Sequence, residues 1–109
     1  MDDLTKDQQF LLVSLYREYL NRQPALDPSS ANYFVDSDSL IPLLGLGFSP
    51  EYVGDMCLAL LNKGFICGGA SEGSVDEFFI SDKTIIYMEN RFKNSAKSVI
   101  DFLAKFKPF

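Results

Sequence analysis

Histidine and cysteine, two residue types that often catalyse reactions or bind metals, are absent or few in this chain. It has no histidine, the side chain whose ordinary pKa suits acid–base chemistry near neutral pH. Its two cysteines, Cys57 and Cys67, supply only half of a tetrahedral metal site. Free cysteines are usually small buried hydrophobic residues, and a reducing compartment would disfavour a disulfide between them. We therefore expect no metal site and two reduced thiols.

One glycine cluster, Gly68, Gly69 and Gly73, lies between two strand-like segments. Phosphate-binding glycines need a helix N-terminus, where backbone N–H groups face the anion, so this cluster is predicted to be a flexible turn. The sequence lacks a phosphate loop, a G-x-S-x-G motif and a dinucleotide fingerprint. Its many carboxylates are assigned to helix caps and exposed strand positions. We predict that the protein is not an enzyme, that it uses no cofactor and that it has no small-molecule ligand.

Length and composition indicate one folded domain over residues 1–109, because 47% of the 109 residues are hydrophobic and two halves would each bury too little surface. No apolar run approaches the roughly 18 residues of a membrane span. The acidic start, Met1-Asp2-Asp3, lacks the basic and apolar regions of a signal peptide. These features predict a cytoplasmic protein without membrane contact.

Charge is distributed unevenly along the chain. Residues 1–82 carry four lysines and arginines against thirteen carboxylates, a net charge of −9, whereas residues 83–109 carry six against two, a net charge of +4. The body of the protein is therefore acidic and its C-terminal segment basic, which suggests different surroundings for the two parts.

The first half of the chain predicts helices from their start signals. Thr5-Lys6-Asp7-Gln8 is typical of a capping box and predicts a helix to about Arg22, followed by a loop over 23–32 and a short strand, Tyr33–Val35. Ser39 is the predicted cap of a helix over 40–46, since Pro42 then falls in its first turn. Ser49-Pro50-Glu51 predicts another helix, which continues to Lys63 and ends with Gly64.

The second half predicts a hairpin and a long helical stretch. Strands at 65–67 and 75–80 flank the glycine-rich loop 68–74. Ser81 is the predicted cap of the helical segment that follows, in which apolar residues recur at three-four spacing. Ser95 occupies one expected apolar position, so a break near Asn94-Ser95 is plausible, and the sequence leaves open whether 84–106 is one helix or two.

This order of elements resembles the winged-helix family of helix-turn-helix domains, in its bacterial and phage forms. The segments that carry the resemblance are Leu40–Ile66, the hairpin after it, and Ile80–Arg91. The resemblance implies an α+β, mostly helical fold: a winged helix-turn-helix with a two- to three-stranded wing and an added C-terminal amphipathic helix. The family core would span 5–92 and the basic C-terminal helix about 93–106.

In winged-helix proteins the second helix of the pair usually enters the DNA major groove. Its outward residues here form the candidate contact face: Glu51, Tyr52, Asp55, Ala59, Asn62 and Lys63. Two carboxylates on this face would be repelled by phosphates, so a protein partner is favoured over DNA. The alternative is a DNA-binding regulator, in which Tyr52, Asn62 and Lys63 reach the DNA. The candidate backbone contacts in that case are Arg91, Lys93 and Lys97.

The apolar stripe of the last segment has two interpretations. It could pack on the protein's own first helix, or it could pair with a second copy in a coiled-coil-like seam. The resemblance favours a homodimer, because winged-helix proteins often dimerise through added terminal helices. The candidate seam consists of Ile85, Met88, Phe92, Val99, Phe102 and Phe106.

Overall fold

The computed structural model describes residues 3–93 and 95–106; the predictions that fall on Met1, Asp2 and Asn94 lie outside these ranges. Within them the chain is α+β and mostly helical, with a three-stranded antiparallel sheet and a C-terminal helix. The elements in chain order are α1 (Lys6–Asn21), α2 (Pro28–Ala31), β1 (Phe34–Asp36), α3 (Leu40–Leu44), α4 (Pro50–Asn62), β2 (Ile66–Ser71), β3 (Ser74–Ile80), α5 (Asp82–Phe92) and α6 (Ala96–Ala104).

Helix α1 begins where the sequence predicts and forms the centre of the core. The Thr5 hydroxyl accepts a hydrogen bond from the Gln8 N–H at 3.1 Å, and the Gln8 side chain accepts one from the Thr5 N–H at 3.1 Å. This reciprocal pair satisfies two N–H groups that a helix start leaves free. Leu11, Leu12 and Leu15 are fully buried, so α1 supplies the surface on which the other helices pack.

Helices α3 and α4 also start at the predicted residues, although their caps differ. Ser49 caps α4 by accepting from the Tyr52 N–H at 3.2 Å, as predicted. Ser39 precedes α3 but does not cap it with its side chain. Instead the Asp36 carboxylate accepts from the Ser39 N–H at 2.8 Å, while the Ser39 hydroxyl donates to the Asp36 carbonyl. Helix α3 ends at Leu44, before the predicted end at Leu46.

The segment predicted as a loop over 23–32 contains the short helix α2. The Asp27 carboxylate caps it by accepting from the Ser30 N–H at 2.9 Å, and this hydrogen bond is the main cause that lowers the pKa of Asp27. Arg22 fixes the segment to α1, since its guanidinium donates to the carbonyls of Ala31 and Tyr33 and its Nε pairs with Glu18.

The sheet has the strand order β1-β3-β2, with β3 in the centre. Its inner face is apolar, and Phe34 on β1 stacks on Phe78 of β3 with ring centroids 5.4 Å apart. The predicted loop 68–74 is wrong. Strand β2 continues to Ser71 and β3 starts at Ser74, so the turn consists of Glu72 and Gly73 alone. The left-handed φ of 75° at Gly73 explains the glycine there.

The C-terminal stretch is two helices, α5 and α6. Helix α5 ends at Phe92 and α6 begins at Ala96, so the break that the sequence suggested near Asn94-Ser95 falls between them. The Ser95 hydroxyl caps α6 by accepting from the Ser98 N–H at 3.1 Å. Ser81 begins α5 without a side-chain cap, because its hydroxyl donates to the Phe65 carbonyl. Helix α6 therefore starts at Ala96, which is later than the predicted 93, and packs along α1.

Candidate interaction surface

The six residues of the candidate contact face lie along one side of α4 and the turn after it. Glu51, Tyr52, Asp55, Asn62 and Lys63 are exposed and Ala59 is half-buried. The opposite side of the helix carries Val53, Cys57 and Leu60, which are fully buried. The three-four spacing of apolar residues thus fixes which side of α4 faces outward, and the structure places the predicted residues on that outward side.

Gly54 joins this helix to the hairpin turn. It is buried in the middle of α4, and a Cβ atom added to it would collide with the backbone carbonyl of Gly73. The absence of a side chain therefore allows the turn to lie directly on the helix. As a result, the turn that carries Glu72 sits against α4 at Gly54. Sequence reasoning missed this contact because a glycine inside a helix is otherwise only an unfavourable residue.

We call Glu51, Asp55 and Glu72 the acidic face. All three are exposed, and among residues 3–93 and 95–106 none of them takes part in an ion pair, since the pairs found there are Arg22–Glu18 and Lys97–Asp101. Unpaired carboxylates on two adjoining elements create a local negative potential that repels anions and attracts cations.

Tyr52 lies beside the acidic face but its hydroxyl is engaged within the chain. It donates to the Asp7 carboxylate at 2.6 Å, and this hydrogen bond is the main cause that raises the pKa of Tyr52. Its ring also meets Phe48 edge-on, with centroids 5.3 Å apart. Tyr52 therefore connects the start of α4 to the start of α1.

Two lysines lie at the opposite end of α4. The Lys63 ammonium donates to the Asp3 carbonyl at 2.6 Å, and the Lys83 ammonium donates to the Lys63 carbonyl at 3.0 Å and lies 4.6 Å from the centre of the Phe65 ring. Positive charge at a helix C-terminus interacts favourably with the helix dipole. The exposed side of α4 and its continuation thus run from acidic to basic along the helix axis.

The candidate DNA-backbone residues lie on α5, on α6 and between them. The Arg91 guanidinium lies 4.4 Å from the centre of the Phe102 ring and donates to the Tyr87 hydroxyl. Lys97 pairs with Asp101 at 3.4 Å, and Lys93 is exposed at the end of α5. These three residues belong to elements other than α4, and two of them already have partners within the chain.

The candidate seam residues face the protein's own core. Met88 and Val99 are fully buried, Phe92 is 5% exposed, and Ile85 and Phe102 pack against them. Phe106 is half-buried, with its ring 6.4 Å from that of Phe10 on α1. Of the two interpretations that the sequence allows, packing on the first helix is the one observed. A seam between two copies would have to open this packing.

The two thiols differ in their burial. Cys57 is fully buried, and burial raises its pKa to about 12; Cys67 is half-buried on β2, and both are reduced. Within residues 3–93 and 95–106, no three cysteine or acidic side chains are grouped as metal ligands. None of the helices described there is both long and apolar enough to cross a bilayer.

One further feature of the sheet could not be read from the sequence. Glu77 has a left-handed φ of 45°, a conformation that side chains other than glycine rarely adopt. The register between β2 and β3 shifts at this point, because Glu77 and Phe78 together oppose Gly68. A Cβ on Gly68 would lie 2.5 Å from the Phe78 Cβ, so this glycine is required by the bulge and not by a turn.

No family model, curated protein or solved structure matches the chain.

Proposed function

We propose that this protein is a non-catalytic interaction module with the winged-helix arrangement, which binds a basic protein partner through the acidic face. The arrangement is supported by the order of elements, in which α1, β1, the α3–α4 pair and the β2–β3 hairpin follow one another and β3 lies between the other two strands. In this arrangement α4 is the helix that contacts the partner, and the hairpin is the wing.

The observation that carries the choice of partner is the contact between Gly54 and the Gly73 carbonyl. It sets the turn that carries Glu72 against the helix that carries Glu51 and Asp55. Both elements that a DNA-binding protein would present to phosphates are therefore negative. Favourable association with this surface requires lysine or arginine on the partner, because opposite charges both steer the encounter and select the partner.

DNA binding is the second candidate, and the same arrangement of elements favours it. Lys63 and Asn62 at the end of α4 are exposed and could meet phosphates, with Arg91, Lys93 and Lys97 as further contacts. Against it stands the repulsion between the acidic face and the phosphates, which is strongest at low salt, where lysine and arginine contacts to DNA would otherwise be strongest.

The homodimer is also part of the proposal, but its surface has to differ from the α5–α6 stripe. That stripe is covered by α1, whereas an interface must be exposed in the separated subunits.

Amide-resolved NMR titration tests the proposal. An arginine- and lysine-rich peptide and a random-sequence DNA duplex are each added at low salt. We expect the peptide to shift the amides around Glu51, Asp55 and Glu72, with an effect that fades as salt is added. Glu51→Gln combined with Asp55→Asn should weaken this binding, whereas Asp101→Asn, which removes an exposed carboxylate on α6, should not.

Two results would reject the acidic face as the contact surface. One is a peptide response that is the same in the double variant as in the wild type. The other is tight, steeply salt-dependent retention of the DNA duplex that Lys63→Glu abolishes, which would establish the second candidate instead.

A further inference from the structure

The two edges of the sheet are protected to different degrees. Edge strands expose unpaired N–H and C=O groups, and proteins usually shield them with charged residues, proline or short length. Strand β1 has three residues, and next to it Arg22 donates to the Tyr33 carbonyl at 2.5 Å. Strand β2 has six residues, ICGGAS, without a charged residue or a proline. The β2 edge is therefore the less protected one.

The hydrogen bonds around β3 indicate which groups of β2 face outward. The Asn32 side chain accepts from the Ile80 N–H and donates to the Ile80 carbonyl, each at 2.9 Å, so these two groups of Ile80 point away from β2. Ile66 is the register partner of Ile80, and its own groups point outward for the same reason. The extra residue of the bulge lies on β3, so β2 keeps its alternation and Gly68 and Ala70 also face outward.

The outer side of β2 is open to a second strand. Gly68, Gly69 and Ala70 are exposed, and no charged side chain within the strand hinders the approach. Among the residues described, no side chain is hydrogen-bonded to the backbone of Gly68 or Ala70. A strand that pairs here would gain main-chain hydrogen bonds, as in proteins that extend a sheet at its edge.

Charges at the two ends of β2 identify a second copy as the occupant. The Lys83 ammonium lies at the start of the strand, 3.2 Å from the position of a Cβ on Gly64, and Glu72 follows the end of the strand. A two-fold axis through Gly68 would set Glu72 of one copy opposite Gly64 of the other, and thus next to its Lys83. The strand is therefore complementary to itself, as a two-fold interface requires.

We propose that two copies pair antiparallel through β2 and form one continuous six-stranded sheet. This inference rests on the homodimer in the proposed function and gives it a surface. It leaves the buried stripe of α5 and α6 intact, and it leaves Glu51 and Asp55 of each copy available to a partner.

Sedimentation velocity over a range of concentrations tests the pairing. Wild-type protein should move from the 12.3 kDa monomer to twice that mass as concentration rises. Ala70→Pro removes an outward N–H without removing a bond to β3, so we expect the concentration of half-dissociation to rise at least about tenfold. Ala70→Ser keeps the N–H and should behave as the wild type. Circular dichroism shows whether the proline variant is folded.

Two further measurements keep the inference testable if that variant does not fold. Glu72→Lys changes only an exposed turn residue and should weaken the dimer, since it places like charges at both ends of the interface. In hydrogen exchange, the Ala70 amide should gain protection as wild-type concentration rises, whereas the Gly69 amide, which faces β3, should be protected at every concentration.

The pairing is overturned by a wild-type protein that stays monomeric at all concentrations, or by a dimer that Ala70→Pro and Glu72→Lys leave unchanged. These results are independent of the peptide titration. A monomer that still binds the basic peptide through Glu51 and Asp55 would reject the β2 dimer and leave the acidic face in place. A β2 dimer that does not bind the basic peptide would reject the acidic face as the contact surface and leave the β2 pairing in place.

Discussion

Gly54→Ala tests how the hairpin is held against the helix. In an ordinary helix interior this change is favourable by about 1 kcal/mol, because alanine restricts the unfolded chain and glycine does not. Here the added methyl group would collide with the Gly73 carbonyl. That atom belongs to the backbone of a two-residue turn, so it cannot move aside as the end of a flexible side chain could.

The balance of these two effects gives the expected magnitude. Forcing a methyl group into a filled site costs about 1–3 kcal/mol, and contact with a fixed backbone atom places this case at the upper end. After subtraction of the gain in helix propensity, Gly54→Ala should destabilise the protein by about 1–2 kcal/mol. In a domain of this size each kcal/mol lowers Tm by about 4–8 °C.

Urea denaturation followed by circular dichroism measures the change, with Gly69→Ala as the matched control. A Cβ at Gly69 would have the Asp76 carbonyl at 3.7 Å as its neighbour, an ordinary contact, so the control should be near neutral. A Gly54→Ala protein as stable as the wild type, or more stable, would show that the turn does not rest on α4. The acidic face would then lose its geometric basis.

Three other changes follow from the burial of single side chains. The Tyr16 hydroxyl has no hydrogen-bond partner among the residues described, and burial raises the pKa of Tyr16 to about 12. Because burial disfavours the ionised form in the folded protein, this group leaves stability unchanged below pH 10 and lowers it as pH rises towards 12. Tyr16→Phe should therefore be neutral or slightly stabilising at pH 7 and should flatten the alkaline loss in a pH series of denaturation curves. At pH 8, iodoacetamide should label Cys67 but reach Cys57 only after unfolding, as peptide mass spectrometry would show. Phe102→Ala should cost about 1–3 kcal/mol in urea and leave the dimer's dissociation unchanged, and a folded variant that no longer dimerises would restore the α5–α6 seam.

The parts of the fold that the sequence predicts are those fixed by local chemistry. The capping box at Thr5 and the Ser49-Pro50 start of α4 involve residues within one turn of each other, so their pattern is sufficient. Asp27-Pro28 is the same kind of start, but the helix that follows is only four residues long and has no apolar repeat to indicate it. Ser39 shows the limit of this reasoning, because its position is correct and yet Asp36 provides the hydrogen bond.

The features that the sequence could not predict depend on contacts between distant residues. Gly68 and Gly69 suggest a flexible loop, as glycines usually do, but the structure extends β2 through both of them. Gly68 is explained by Phe78 across the bulge, and Gly54 by Gly73 at the turn. Each glycine allows a close approach that only the folded chain reveals, and the composition of the segment does not distinguish this use from a turn.

The two proposed surfaces divide the glycines of the molecule between two tasks, and Glu72 belongs to both surfaces. At Gly54 the missing side chain brings two elements of one chain together and concentrates negative charge, which favours a partner of opposite charge. At Gly68 and Gly69 the missing side chains leave a strand edge bare, with a positive group near one end and a negative group near the other. A uniformly acidic surface cannot pair with itself, whereas a strand with opposite charges at its ends can do so when the two copies run antiparallel. The same acidic chain can therefore repel its own copies at α4 and still bind one of them at β2.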